Sequence, residues 1–157
     1  MTGKLKLAAK LAKQKATIYA SEENYLLASR LAVQSGDIAS AAKLMEQVIK
    51  FKENKENLLK LHEYSRWQGN LVSALQVSLK LLKYQPNEKQ LRAGLEEASS
   101  IADLAAMSDF YFVLVQKQWL KNDEYESWLT ITDKAYGAEY VVTQLEKILK
   151  DLILIAF

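Results

Sequence analysis

The chain has one histidine, His62, and no cysteine. A histidine is the side chain best suited to move protons near neutral pH. To work as a general base it needs a nucleophile within reach and a third group to orient it. The serines have no local histidine to activate them, and no G-x-S-x-G, P-loop or G-x-G-x-x-G is present. Carboxylates occur as neighbours: Glu22-Glu23, Glu96-Glu97 and Asp123-Glu124. Adjacent residues on a helix point about 100° apart, so these pairs make no acid/base dyad. Without cysteine there is no thiol nucleophile, thiolate metal site or disulfide. One histidine also excludes a multi-histidine zinc or iron site. The chain is read as non-catalytic, with no cofactor and no metal.

Recognition is the chemistry that remains. Trp67 stands in Arg66-Trp67-Gln68-Gly69, and Trp119 and Trp128 bracket a later segment. Aromatics at helical spacing are usually core, which is the expectation for all three. Trp67 is the best exception, because it ends a helix just before a turn.

The elements that position these residues are helices. The chain includes five Gly and one Pro, too few for the closely spaced turns of a β-sandwich. No run approaches the roughly 18 to 20 apolar residues of a membrane span. The apolar residues recur with a period of 33. Gln34-Ser35-Gly36-Asp37-Ile38 precedes Ala41, Met45 and Val48; Gln68-Gly69-Asn70-Leu71 precedes Ala74, Ser78 and Leu81; Ala102-Asp103-Leu104 precedes Met107, Tyr111 and Leu114. Before each turn lies a matching set: Tyr25, Ala28, Ala32; Leu58, Leu61, Ser65; Leu91, Gly94, Ala98. A fourth set follows a one-residue slip, with Tyr125, Trp128, Thr132 and then Ala138, Val141, Leu145 and Ile148. The i, i+3, i+4, i+7 spacing makes each unit two amphipathic helices of about 13 residues. Gly36 and Gly69 stand where a first helix must stop, and Asp37 and Asn70 follow as N-caps. Pro86 closes the second unit.

These units resemble the tetratricopeptide repeat family: Tyr25-x₂-Ala28-Ser29-x₂-Ala32 then Ala41-x₃-Met45, and Leu58-x₂-Leu61-His62-x₂-Ser65 then Ala74-x₃-Ser78 and Pro86. They depart from it in the period, in keeping the proline once, and in lacking a turn glycine at Ala102. The resemblance implies an all-α fold, a right-handed superhelical solenoid of about four helix-turn-helix repeats with the first incomplete. Residues 2–20 would be the second helix of an incoming repeat, followed by repeats at 22–53, 55–86, 88–119 and 122–157.

Both ends read as cut. Ala8-Ala9-Lys10-Leu11 matches Ala41-Ala42-Lys43-Leu44 residue for residue, so the chain starts inside a repeat. Leu152-Ile153-Leu154-Ile155-Ala156-Phe157 is apolar on every side, where a terminal unit would be polar. A segment excised from a longer protein is expected, with self-association through its exposed ends. No secretory signal is visible behind the lysines of the first 20 residues, which for an excised segment says nothing about location.

The net charge of +2 conceals a gradient, +5 over residues 1–20, +2 over 21–87 and −5 over 88–157. The acids outweigh the bases over most of the chain's second half, which argues against nucleic acid. The basic first helix is compatible with a membrane surface or with a solvated face.

In such a solenoid the first helices line a concave groove. The residues expected to bind a partner there are Arg30, Lys60, Glu63, Trp67, Arg92 and Glu96. Glu63 would repel a peptide carboxylate, so a carboxylate clamp is not carried over. The Gly-Asp and Gly-Asn turns look like the periplasmic repeat arrays of outer-membrane exopolysaccharide exporters of the Pel and cellulose types. That likeness implies a protein–protein interaction scaffold that recruits periplasmic partners, polysaccharide-modifying enzymes among them, and touches the membrane only through its parent protein. A cytoplasmic adaptor for a peptide or partner subunit, and a polysaccharide-binding surface at Trp67 and Tyr64, stand as alternatives.

Overall fold

A computed structural model of the chain describes the backbone of residues 2–156 and the side chains of residues 3–150. The described residues form helices joined by short connections, without strands. They form two compact units, residues 1–84 and 85–157.

The first unit holds α1 (Thr2–Ile18), α2 (Glu22–Gln34), α3 (Ile38–Phe51), α4 (Lys55–Trp67) and α5 (Leu71–Leu81), with a 3-10 turn at Leu82–Tyr84. Each helix packs against the next in sequence. The second unit holds α6 (Glu88–Ser100), α7 (Leu104–Gln116), α8 (Tyr125–Tyr136) and α9 (Ala138–Ala156), again packed in order, with α9 also touching α7. The fold is therefore all-helical and repeat-like. Helices begin at Glu22, Lys55 and Glu88, and again at Ile38, Leu71 and Leu104, and both series keep the period found in the sequence.

Local chemistry explains the period. The side chains of Ser21, Asn54 and Asn87 accept from the backbone N–H three residues on, at 3.1, 2.8 and 2.9 Å. Asp37, Asn70 and Asp103 do the same for the second helices, at 3.0, 3.1 and 3.0 Å. Each cap satisfies one of the orphan donors of a helix start. The same three residues also donate backward: the N–H groups of Asp37, Asn70 and Asp103 reach the carbonyls of Ala32, Ser65 and Ala98, each at 2.9 Å. This is the Schellman closure, which needs a left-handed residue just before it. Gly36 and Gly69 supply that conformation with φ of 83° and 70°. Ala102, at the position without glycine, still adopts it with φ of 56°. The last pair is joined differently. Gly137 alone separates α8 from α9, at φ 88° and ψ 164°.

The core of the first unit is built from Ala28, Ala32, Ala41, Met45, Val48, Leu58, Leu61, Val77 and Leu81. In the second unit Leu91, Ala98, Phe110, Leu114 and Trp128 are buried. Ser108 and Thr132, both buried there, pair through their hydroxyls at 2.8 Å. The apolar run at residues 152–157 lies outside the described side chains. Among the described residues no helix is long and apolar enough to cross a membrane.

Candidate functional site

In the first unit, the outward face of α4 carries Glu56, Lys60, Glu63 and Trp67, spaced i, i+4, i+7, i+11. Lys60 Nζ donates to Glu56 Oε1 at 2.6 Å. That hydrogen bond and the Lys60 charge hold the Glu56 carboxyl below its usual range, with smaller contributions from Arg30 and Lys52. Arg30, exposed on α2, thus belongs electrostatically to the same surface. Glu63 is exposed.

Trp67 is 55% exposed, on the last turn of α4. Its ring leans on Tyr64, with centroids 5.6 Å apart and planes tilted by 33°. Tyr64 is buried. A buried ring beneath an exposed one restricts the exposed ring's rotamers, so that it loses little entropy on contact with a partner. Leu27 of α2 adds a second exposed apolar side chain. The surface thus offers an aromatic anchor, an aliphatic contact and charges of both signs.

The expected core placement fails for Trp67 and holds for Trp128, which is buried. Trp119 is half-buried. His62 is half-buried on α4 and makes its own contacts within the protein.

In the second unit, Arg92 serves a different end. Its Nε donates to Glu88 Oε1 at 2.8 Å, its Nη1 to Glu124 Oε1 at 2.8 Å, and its Nη2 to the Trp119 carbonyl at 2.9 Å. The guanidinium fork is taken up in tying α6 to the connection between α7 and α8. Arg92, expected to bind a partner in the groove, is thus held by contacts within the second unit. The repeat explains why: its counterparts one and two periods earlier are Leu59 and Leu26, both packed against the core of the first unit. Arg92 is half-buried, its side chain 28% exposed, the same as that of Lys60. Burial opposes the charge on Glu124, yet the hydrogen bonds from Arg92 and from the Lys121 amide leave its carboxyl below the usual range. Glu96, also on α6, is exposed and engaged within the protein. Its neighbour Glu97 is buried at 1% exposure.

Sequence reasoning overlooked Asn24 and Asn57. Their side-chain amides donate to the carbonyls of Tyr19 and Lys52, at 2.7 and 3.0 Å, clamping the loop that enters each first helix. The signal was present: both are asparagines, one period apart, and each stands three positions after a cap.

Among the described residues the first unit has at least two open clefts. One, of about 310 Å³, is lined by Lys6, Lys10, Lys13, Ser40 and Leu44, and the other, of about 360 Å³, by Glu46, Lys50, Leu58, Val77 and Lys80. Both sit along the second helices, and neither is lined by any of the six residues expected to bind a partner. Among the described residues no group of three or more carboxylates or histidines is placed to hold a metal ion.

No family model, curated protein or solved structure matches the chain.

Proposed function

We propose that the chain is a non-catalytic interaction scaffold, a TPR-like solenoid segment that binds a protein partner through α2 and α4. The observation that carries this reading is Trp67, 55% exposed on a buried Tyr64. Large aromatics held outward amid mixed charge are the usual energetic centres of protein interfaces. Arg30, Lys60 and Glu63 would set orientation and partner choice around it. The likeness of the turns to exporter repeat arrays makes exopolysaccharide export at the outer membrane our reading of the setting. Periplasmic carbohydrate-active enzymes are then the partner class.

The test is capture on the immobilised chain from periplasmic and cytosolic extracts kept separate, with the bound proteins identified by mass spectrometry. The control is Trp67→Ala with Arg30→Ala, both exposed, so that folding is preserved. Arg92 is unsuitable as a control because its loss would loosen the second unit. Capture of a periplasmic carbohydrate-active enzyme that the double variant loses supports the reading. Capture from cytosol alone moves the scaffold to an adaptor role. Capture that the double variant retains removes α2 and α4 as the site.

A further inference from the structure

Helix α1 is apolar on two opposite sides. Its inner side, Ala12 and Ala16, packs on the core of the first unit. Its outer side carries Leu7, Leu11 and Ile18, exposed by 59%, 55% and 71%. With Gln14 these residues are spaced 4, 3, 4, the a/d seam of a coiled coil. Lys10 and Lys15 border the seam, and residues 1–20 contain no acid. The repeat shows what such a side becomes inside a stack. At the middle of the seam, Leu11 corresponds to Leu44 on α3, which is 5% exposed where α3 has helices packed before and after it, whereas at its end Ile18 corresponds to Phe51, which stays 53% exposed.

Helix α9, in the other unit, has a seam of the same length. Ala138, Val142, Leu145 and Leu149 are again spaced 4, 3, 4. Val142, Leu145 and Leu149 are exposed by 54%, 38% and 57%. The residues half-buried within the unit, Val141, Gln144 and Ile148, lie on another side of the helix. This second seam is bordered by Glu139 and Glu146, each following a d position.

We propose that copies of this chain associate head to tail, the α1 seam of one copy packing on the α9 seam of the next. Charge favours this pairing. Lys10 precedes an a position and Lys15 follows a d position, whereas both glutamates follow d positions, so α1 against α9 sets one lysine beside the glutamates, Lys10 in a parallel packing and Lys15 in an antiparallel one. Two parallel α1 seams would set Lys10 against Lys15, and two antiparallel α9 seams glutamate against glutamate. Gln14, the polar residue in the α1 seam, is placed to restrict register. The surface is heterologous, so each copy keeps a complementary face for another. The inference does not rest on the Trp67 surface.

The test is light scattering behind size exclusion, from micromolar to near-millimolar protein. The wild-type mass should rise above the monomer with concentration, and less so at high salt. Leu11→Glu sets a carboxylate against Glu139 and Glu146, and Val142→Lys sets an ammonium against Lys10 and Lys15. Each variant alone should remain monomeric, its self-association weakened about tenfold or more. Mixed, the two should associate, because one retains the intact α9 seam and the other the intact α1 seam. Both positions are exposed, so thermal melts should match the wild type. A wild type that stays monomeric, a single variant that still self-associates, or a mixture that fails to pair would each overturn the proposal. So would a monomeric chain that sediments with phosphatidylserine vesicles through Leu11, which would assign the α1 seam to a bilayer.

Discussion

The ring of Phe110 on α7 lies where a β-carbon on Gly94 of α6 would stand, with three ring carbons inside 3.0 Å of that point. At the corresponding positions of the first unit, Leu61 faces the helix of Val77, and Ala28 that of Leu44. A large residue on one helix has been matched by removal of the side chain on the other. Phe110 is 1% exposed and cannot turn away. Gly94→Ala should therefore destabilise the protein by about 1–3 kcal/mol through overpacking. It should do so although alanine is the better helix former by about 1 kcal/mol. Chemical denaturation would measure the loss. Phe110→Leu in the same chain should recover part of it, and additive effects of the two changes would contradict the relationship.

Ala102 bears a strain that Gly36 and Gly69 avoid. A β-carbon in the left-handed region costs roughly 1–2 kcal/mol. Replacement by glycine also returns entropy to the unfolded chain, about 0.4–1 kcal/mol against folding. Ala102→Gly should thus stabilise by about 0.5–1 kcal/mol, the difference of those terms. Gly36→Ala and Gly69→Ala should shift the melting temperature the other way. A lower melting temperature for Ala102→Gly would refute the account.

Arg92 and Glu124 make a pH-dependent tie. The folded-state carboxyl of Glu124 is held below its ordinary range, so its contribution is fully present above that range and is lost as pH falls through the depressed value. Arg92→Ala should cost about 1–2 kcal/mol at neutral pH, since it leaves partly buried acceptors without their donor. The gap between wild type and variant should close in acid. A gap that is constant from neutral pH into acid would show that the guanidinium acts by packing alone.

Trp67→Ala separates binding from folding. The exposed ring contributes little to the core, so stability should change by no more than about 0.5 kcal/mol. Loss of partner capture should be large, because few residues dominate an interface. A marked fall in melting temperature would mean that the Tyr64–Trp67 contact is structural.

The sequence by itself determined the local architecture. Helix ends follow from short-range chemistry: Gly36 and Gly69 can adopt positive φ, and Asp37 and Asn70 can cap, whatever surrounds them. The period of 33 was legible because these residues and the buried alanines recur together. Even Asn24 and Asn57 were readable in principle, as each acts on a carbonyl five positions away. Tertiary structure decided the rest. Arg92 has the composition of a surface anchor, yet its partners Trp119 and Glu124 lie 27 and 32 residues on, brought near only when α6 packs on α7. Trp67 and Trp128 look alike along the chain, and which of them is buried depends on whether another helix covers that side. Leu11 and Leu44 occupy the same place in the repeat and differ in exposure for the same reason. A hydrogen-bonded turn is settled by its own residues, whereas burial belongs to neighbours far away in sequence.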